Sequence, residues 1–141
     1  MKITVDLNVL PDVAENRLPH FHASEEVLHR ARDAEFSAVL PGHAITTLHY
    51  FIEKGVGTDL ANQTVDGLLA DFIVHAPDKA LFQRARQLPI KDFEDAVVAA
   101  VAESTGSDYI VTRNVSDFRG SPIPAISPSE FLEEIAGDEV K

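Results

Sequence analysis

A chain of 141 residues, 45% of them hydrophobic, is long enough to bury one core without covalent staples. It has no cysteine, which excludes a disulfide framework, a thiolate metal site and a cysteine nucleophile, and leaves oxygen and imidazole chemistry. Twenty-three acids against twelve bases give a formal charge of −11, which excludes passive coating of a polyanion. Action on a phosphodiester then requires acids gathered around a cation that inverts the local field.

In chain order, strand-like runs fall at Ile3-Thr4-Val5, at Phe36 to Leu40, at Phe72-Ile73-Val74, at Tyr109 to Thr112 and, more weakly, at Pro124-Ala125-Ile126. Segments of helical spacing lie between them. Their start signals are Ser24 before Glu25, Thr58 before Asp59, Asp78 after Pro77, Asp92 before Phe93, and Ser127 or Ser129 before Phe131. Gly55, Gly57 and Gly106 stand where helices end. Strands apolar on both faces and alternating with helices predict a three-layer α/β/α sandwich around a mainly parallel, roughly five-stranded sheet. Residues 1–136 read as one domain and residues 137–141 as a tail. No run approaches the ~18 apolar residues of a membrane span, so a soluble, cytoplasmic protein without a membrane partner is expected.

In open sheets of this kind, sites form beyond the carboxyl ends of the strands, and the acids fall there. Asp6 ends the first strand. Asp117 lies five residues beyond Thr112, and Asp92 and Asp95 open the helix that leads into the fourth strand. Three apart on a helix, Asp92 and Asp95 present their Cβ atoms roughly 5–6 Å from each other. Asp92 reads equally as a helix cap and as a metal ligand. Asp95 precedes the apolar run Ala96 to Ala102, where an acid needs a functional reason. Asp6 is either a turn aspartate or a buried carboxylate that needs a cation, and the second reading is preferred because an unpaired buried charge is costly. Asp117, taken alone, is equally an ordinary loop aspartate. Taken together the acids repel one another, by about 4 kcal/mol per pair near ~4 Å at an effective dielectric of 20, and call for a hard cation such as Mg²⁺ or Mn²⁺.

Three segments carry a resemblance to a known family: Val5-Asp6-Leu7-Asn8-Val9-Leu10, Lys91-Asp92-Phe93-Glu94-Asp95-Ala96, and Asp108-Tyr109-Ile110-Val111-Thr112-Arg113-Asn114-Val115-Ser116-Asp117-Phe118. In order, spacing and near-terminal placement they resemble PIN-domain proteins, and within them the VapC-like toxins. The resemblance covers almost the whole chain. It implies a metal-dependent endoribonuclease with Asp6, Asp95 and Asp117 as catalytic, metal-binding acids, and Asn8, Thr112 and Asn114 lining the same pocket. It also implies an antitoxin partner, with assembly as a homodimer or a hetero-oligomer. One position departs from the pattern. The family commonly carries a glutamate on the helix after the second strand, and the stretch His43 to Tyr50 holds no acid before Glu53. Asp92 is the candidate to take over part of that role, and a PIN module that binds RNA or protein without cutting is the second reading.

Arg113, held between Thr112 and Asn114, is the expected phosphate contact; Arg84 and Arg86 read as a solvated helix face. The histidines do not suit zinc, since His43 and His49 are six apart on one helix, and His20 and His22 alternate. The apolar stretches Ala44 to Ile52 and Leu60 to Phe72 are core stripes, or else an interface for a second copy or an antitoxin.

Overall fold

The protein is described here from a computed structural model in which residues 1–9 and 21–140 are placed; His20 lies outside them. Strand β1 (Lys2–Val5) leads into a single 3₁₀ turn (Leu7–Val9), and helix α1 (Phe21–Arg32) precedes β2 (Ser37–Pro41). Helices α2 (His43–Gly55) and α3 (Thr58–Asp71) then connect to β3 (Ile73–His75). They are followed by α4 (Lys79–Gln87), α5 (Phe93–Ser104), β4 (Tyr109–Val111), a second 3₁₀ turn (Val115–Phe118), β5 (Ala125–Ile126) and α6 (Pro128–Val140).

Among the described residues, all four strand pairings are parallel and the order is β3-β2-β1-β4-β5. The chain works outward from β1 to β3, crosses back, and lays β4 along the free side of β1. The reversal therefore falls between β1 and β4, where α/β sheets open a crevice.

The side-chain period of two divides the core between the faces. Ile3, Val5, Ala38, Leu40 and Val111 pack beneath α1, α2, α3 and α6, with Phe36 edge-on to Phe131 at 5.1 Å between ring centroids. Val39 and Ile110 face α4 and α5 on the other side. Every residue from Ala96 to Ala102 is buried, so α5 is covered all round. Its alanines and valines permit that close approach, and with no larger side chain to lose, the helix is held mainly by the sheet and by α4.

Helix starts follow local chemistry in three of the expected places. The carboxylate of Asp78 accepts from the Leu81 amide at 2.9 Å, that of Asp92 from the Asp95 amide at 3.0 Å, and the hydroxyl of Ser127 from the Glu130 amide at 3.1 Å. Two expectations are corrected. Ser24 is buried inside α1 and does not start it, and Thr58 is the first residue of α3, its hydroxyl donating to Glu53 at 3.3 Å. At the end of the chain α6 runs on through Val140, across the segment expected as a tail.

Candidate metal centre

The carboxyl ends of β1 and β4 hold one connected set of polar groups. Beyond the last β1–β4 pair, Val5 with Val111, the Asp6 amide donates to the Val111 carbonyl at 2.9 Å and extends the ladder by one residue. Asp6 and Thr112 are thereby brought side by side, both buried. The Thr112 hydroxyl donates to Asp6 Oδ2 at 2.8 Å and accepts from the Asn114 amide at 3.1 Å and from Asn8 Nδ2 at 3.2 Å. Asn8 Oδ1 in turn accepts from the Arg113 amide at 3.3 Å. Asp6 is held in place by this relay of neutral groups.

Opposite stands the first turn of α5. Asp92 spends one carboxylate oxygen on the cap, which fixes the entry of the helix and sets Asp95 one turn inside it. Burial first, and then the negative charges of Asp6, Asp92, Asp117 and Glu94, push the Asp95 carboxyl up to about 7. The acids of three separate elements therefore share one field. Asp117 is exposed on the second 3₁₀ turn. An open cleft of about 590 Å³ is lined by Pro89, Lys91, Asp92, Asp95, Ser116, Asp117 and Arg119.

The expected residues thus divide in two. Asp92, Asp95 and Asp117 line the cleft, while Asp6, Asn8, Thr112 and the backbone of Arg113 and Asn114 form the hydrogen-bonded set at the strand ends. Among the described residues, neither Arg113 nor Asn114 lines the cleft, whereas Lys91 and Arg119 do. Arg84 is engaged elsewhere, forking to both carboxylate oxygens of Glu103 at 2.8 and 3.0 Å.

One contributor was not foreseen from the sequence. Gly120 has φ +89, and a Cβ there would meet Pro89 at 2.9 Å, so the chain after Arg119 rests directly on another wall of the cleft. His43 opens α2 with both ring nitrogens buried and without a hydrogen-bond partner among the described residues. Burial holds its imidazole below the usual histidine range, against the opposing charge of Glu94. The other imidazole on that helix, His49, faces Asn62 at 2.8 Å instead.

The donor set suits a hard cation: it is all oxygen, and its acids burden one another in a way that positive charge would relieve. Among the described residues, no three acids or histidines stand together as a finished cage. The arrangement fits an ion that keeps several of its waters.

Residues 2–116 match the family described as PIN domain. A comparison with curated proteins finds no match. Among solved structures, VapBC2 from Rickettsia felis, bound to a DNA fragment from its promoter, superposes with a TM-score of 0.71 at 14% identity, over 90% of this chain and 98% of that one. DNA-bound VapBC from Salmonella typhimurium gives 0.70 at 19% identity, over 91% and 98%. The sarcin-ricin loop cleaving toxin VapC20 of Mycobacterium tuberculosis gives 0.65 at 13% identity, over 77% and 86%. At those identities the structures establish a shared fold, and with the family match over residues 2–116 they show that the chain belongs to the PIN domain family.

Proposed function

We propose that the protein is a Mg²⁺- or Mn²⁺-dependent endoribonuclease and the toxin of a toxin–antitoxin pair. The observation that carries the reading is the gathering of Asp92, Asp95 and Asp117 around one cleft at the reversal point of the sheet, with Asp6 near enough to bear on Asp95. Asp6, Asp95 and Asp117 would hold the ion, with Asp92 contributing its uncapped oxygen. When bound, such an ion would activate water as the nucleophile near neutral pH and offset charge on the leaving oxygen. Thr112 and Asn8 keep Asp6 oriented. Lys91 and Arg119 steady the phosphates on either side of the scissile bond, and Arg113 adds charge from behind the strand end. The likeness to toxins solved with their antitoxins supports the toxin role and an antitoxin partner, in a homodimer or a mixed assembly.

The test is cleavage of a diverse RNA set by purified protein in Mn²⁺ against chelator, with Asp6→Asn and Asp95→Asn alongside. Cleavage that needs the metal and disappears in both variants is expected. The lack of an acid between His43 and Tyr50 favours a second reading, a PIN module that binds RNA or a protein without cutting. RNA binding with no metal-dependent product would establish it.

A further inference from the structure

The 3₁₀ turn that carries Asp117 is too short to hold itself in place. Of its four residues, Val115–Phe118, only Phe118 is buried, at 4% exposure. Hydrogen-bond geometry is poor in such turns, and the bond that closes this one, from the Arg119 amide to the Ser116 carbonyl, is long at 3.4 Å. Three residues per turn set Ser116 and Arg119 on one side with Asp117 beside them, and all three line the acidic cleft. Phe118 goes the other way, into the core shared by α5 and Ile110.

The first turn of α5 supplies Asp92 and Asp95 to the cleft, and the residues flanking Phe118 supply Asp117 and Arg119. One buried ring thus sets an acid and a cation against the helix that carries two further acids. The segment has a tether at each end: the Asn114 amide on the Thr112 hydroxyl at 3.1 Å, and Gly120 against Pro89. Two such points leave a segment free to turn about the line between them, and Phe118 supplies the third. We infer that Phe118 is a positioning residue of the centre, holding Asp117, with Arg119 beside it, at the cleft through its packing against α5. The inference rests on the metal-dependent nuclease reading for what Asp117 holds there.

The test is Mn²⁺ titration calorimetry on wild type, Phe118→Ala, Phe118→Val, Phe118→Leu and Leu81→Ala, with amide hydrogen exchange followed in chelator. Leu81 is buried in the same core from α4, so Leu81→Ala reproduces a loss of packing while leaving the anchor of the turn intact. Phe118→Ala should weaken Mn²⁺ binding by about 10- to 100-fold, Phe118→Leu should restore most of it, and Leu81→Ala should bind as wild type does. Should Phe118→Ala not fold, Phe118→Val takes its place. Equal affinity in the Phe118 and Leu81 variants overturns the positioning role. Cleavage of RNA by wild type in Mn²⁺ reports on the nuclease reading separately: if wild type binds Mn²⁺ and cuts nothing, the nuclease fails and the affinities still decide for or against Phe118. If wild type binds no Mn²⁺, exchange decides. Faster exchange confined to residues 114–121 in the Phe118 variants upholds the positioning of the turn, and exchange raised evenly along the chain overturns it.

Discussion

The Thr112 hydroxyl donates to Asp6 Oδ2 at 2.8 Å across the junction of two strands whose residues lie 106 apart in sequence. Both groups are buried, and the same hydroxyl oxygen also receives the Asn114 amide and Asn8 Nδ2. Replacing Thr112 by valine keeps the shape and deletes all three contacts. Loss of a buried hydrogen bond to a carboxylate costs about 1.5–3 kcal/mol, and loss of a group that orients a metal ligand lowers metal affinity or activity about 10- to 100-fold. Urea unfolding and Mn²⁺ titration calorimetry should show both effects, and Thr112→Ser should recover most of each.

Asp95 gives the metal-free protein a pH dependence of defined sign. Its folded-state carboxyl is raised from 3.8 to about 7, so the ionised form is disfavoured in the folded chain. Its stability contribution is therefore most favourable below about 4, is lost as pH rises, and levels off above about 7. In chelator, Asp95→Asn should melt close to wild type at pH 4.5 and clearly above it at pH 8, while losing cleavage. A constant difference in melting temperature between those pH values would contradict the assignment.

His43 acts on the acid side. Burial lowers its pKa from 6.5, so the unfolded chain takes up the proton first and stability falls as pH drops through about 6.5. The denaturant midpoint of wild type should fall between pH 7.5 and pH 5.5 by more than that of His43→Leu, which has no proton to gain.

Two glycines separate backbone strain from steric conflict. Gly57 and Gly120 both have positive φ, +124 and +89, but a Cβ at Gly57 meets open space and one at Gly120 meets Pro89 at 2.9 Å. Both alanine variants should lose about 1 kcal/mol or more from strain. Gly120→Ala should lose more in urea unfolding and should also weaken RNA binding, because Pro89 and Arg119 are walls of the cleft.

Charge reversal distinguishes the cations. Arg119→Glu should flatten the slope of log affinity for single-stranded RNA against log salt by about 0.7 per lost phosphate contact. Arg113→Glu should have a smaller effect, since only Arg119 lines the cleft.

The architecture was legible because each strand is a short apolar run and each break carries a turn or cap residue. Asp78, Asp92 and Ser127 cap helices from within three residues, a range over which sequence carries the whole signal. Ser24 misled because a serine at the start of a charged helical stretch looks the same whether it caps that stretch or is buried in it. At the site, the acids could be read from their places at element ends. The Pro89–Gly120 contact could not, because it depends on how distant segments pack. Nor could the place of Arg119 in the cleft wall: it follows Arg113 by six residues, and the 3₁₀ turn between them sets where it lies.

The register that pairs Val5 with Val111 bears on how the protein is made. The acids are spread along the chain: Asp6 and Asp117 lie 111 positions apart in sequence, so they leave the ribosome far apart in time. Asp6 gains its Thr112 partner only after β4 inserts beside β1, a closure across about a hundred residues that local structure does not hasten. If the proposed nuclease is the activity, a nascent or stalled chain carries no complete centre. On that reading, potential harm to the cell's RNA would begin only once β4 and the turn after it have been made, leaving a partner antitoxin that interval of translation in which to be waiting.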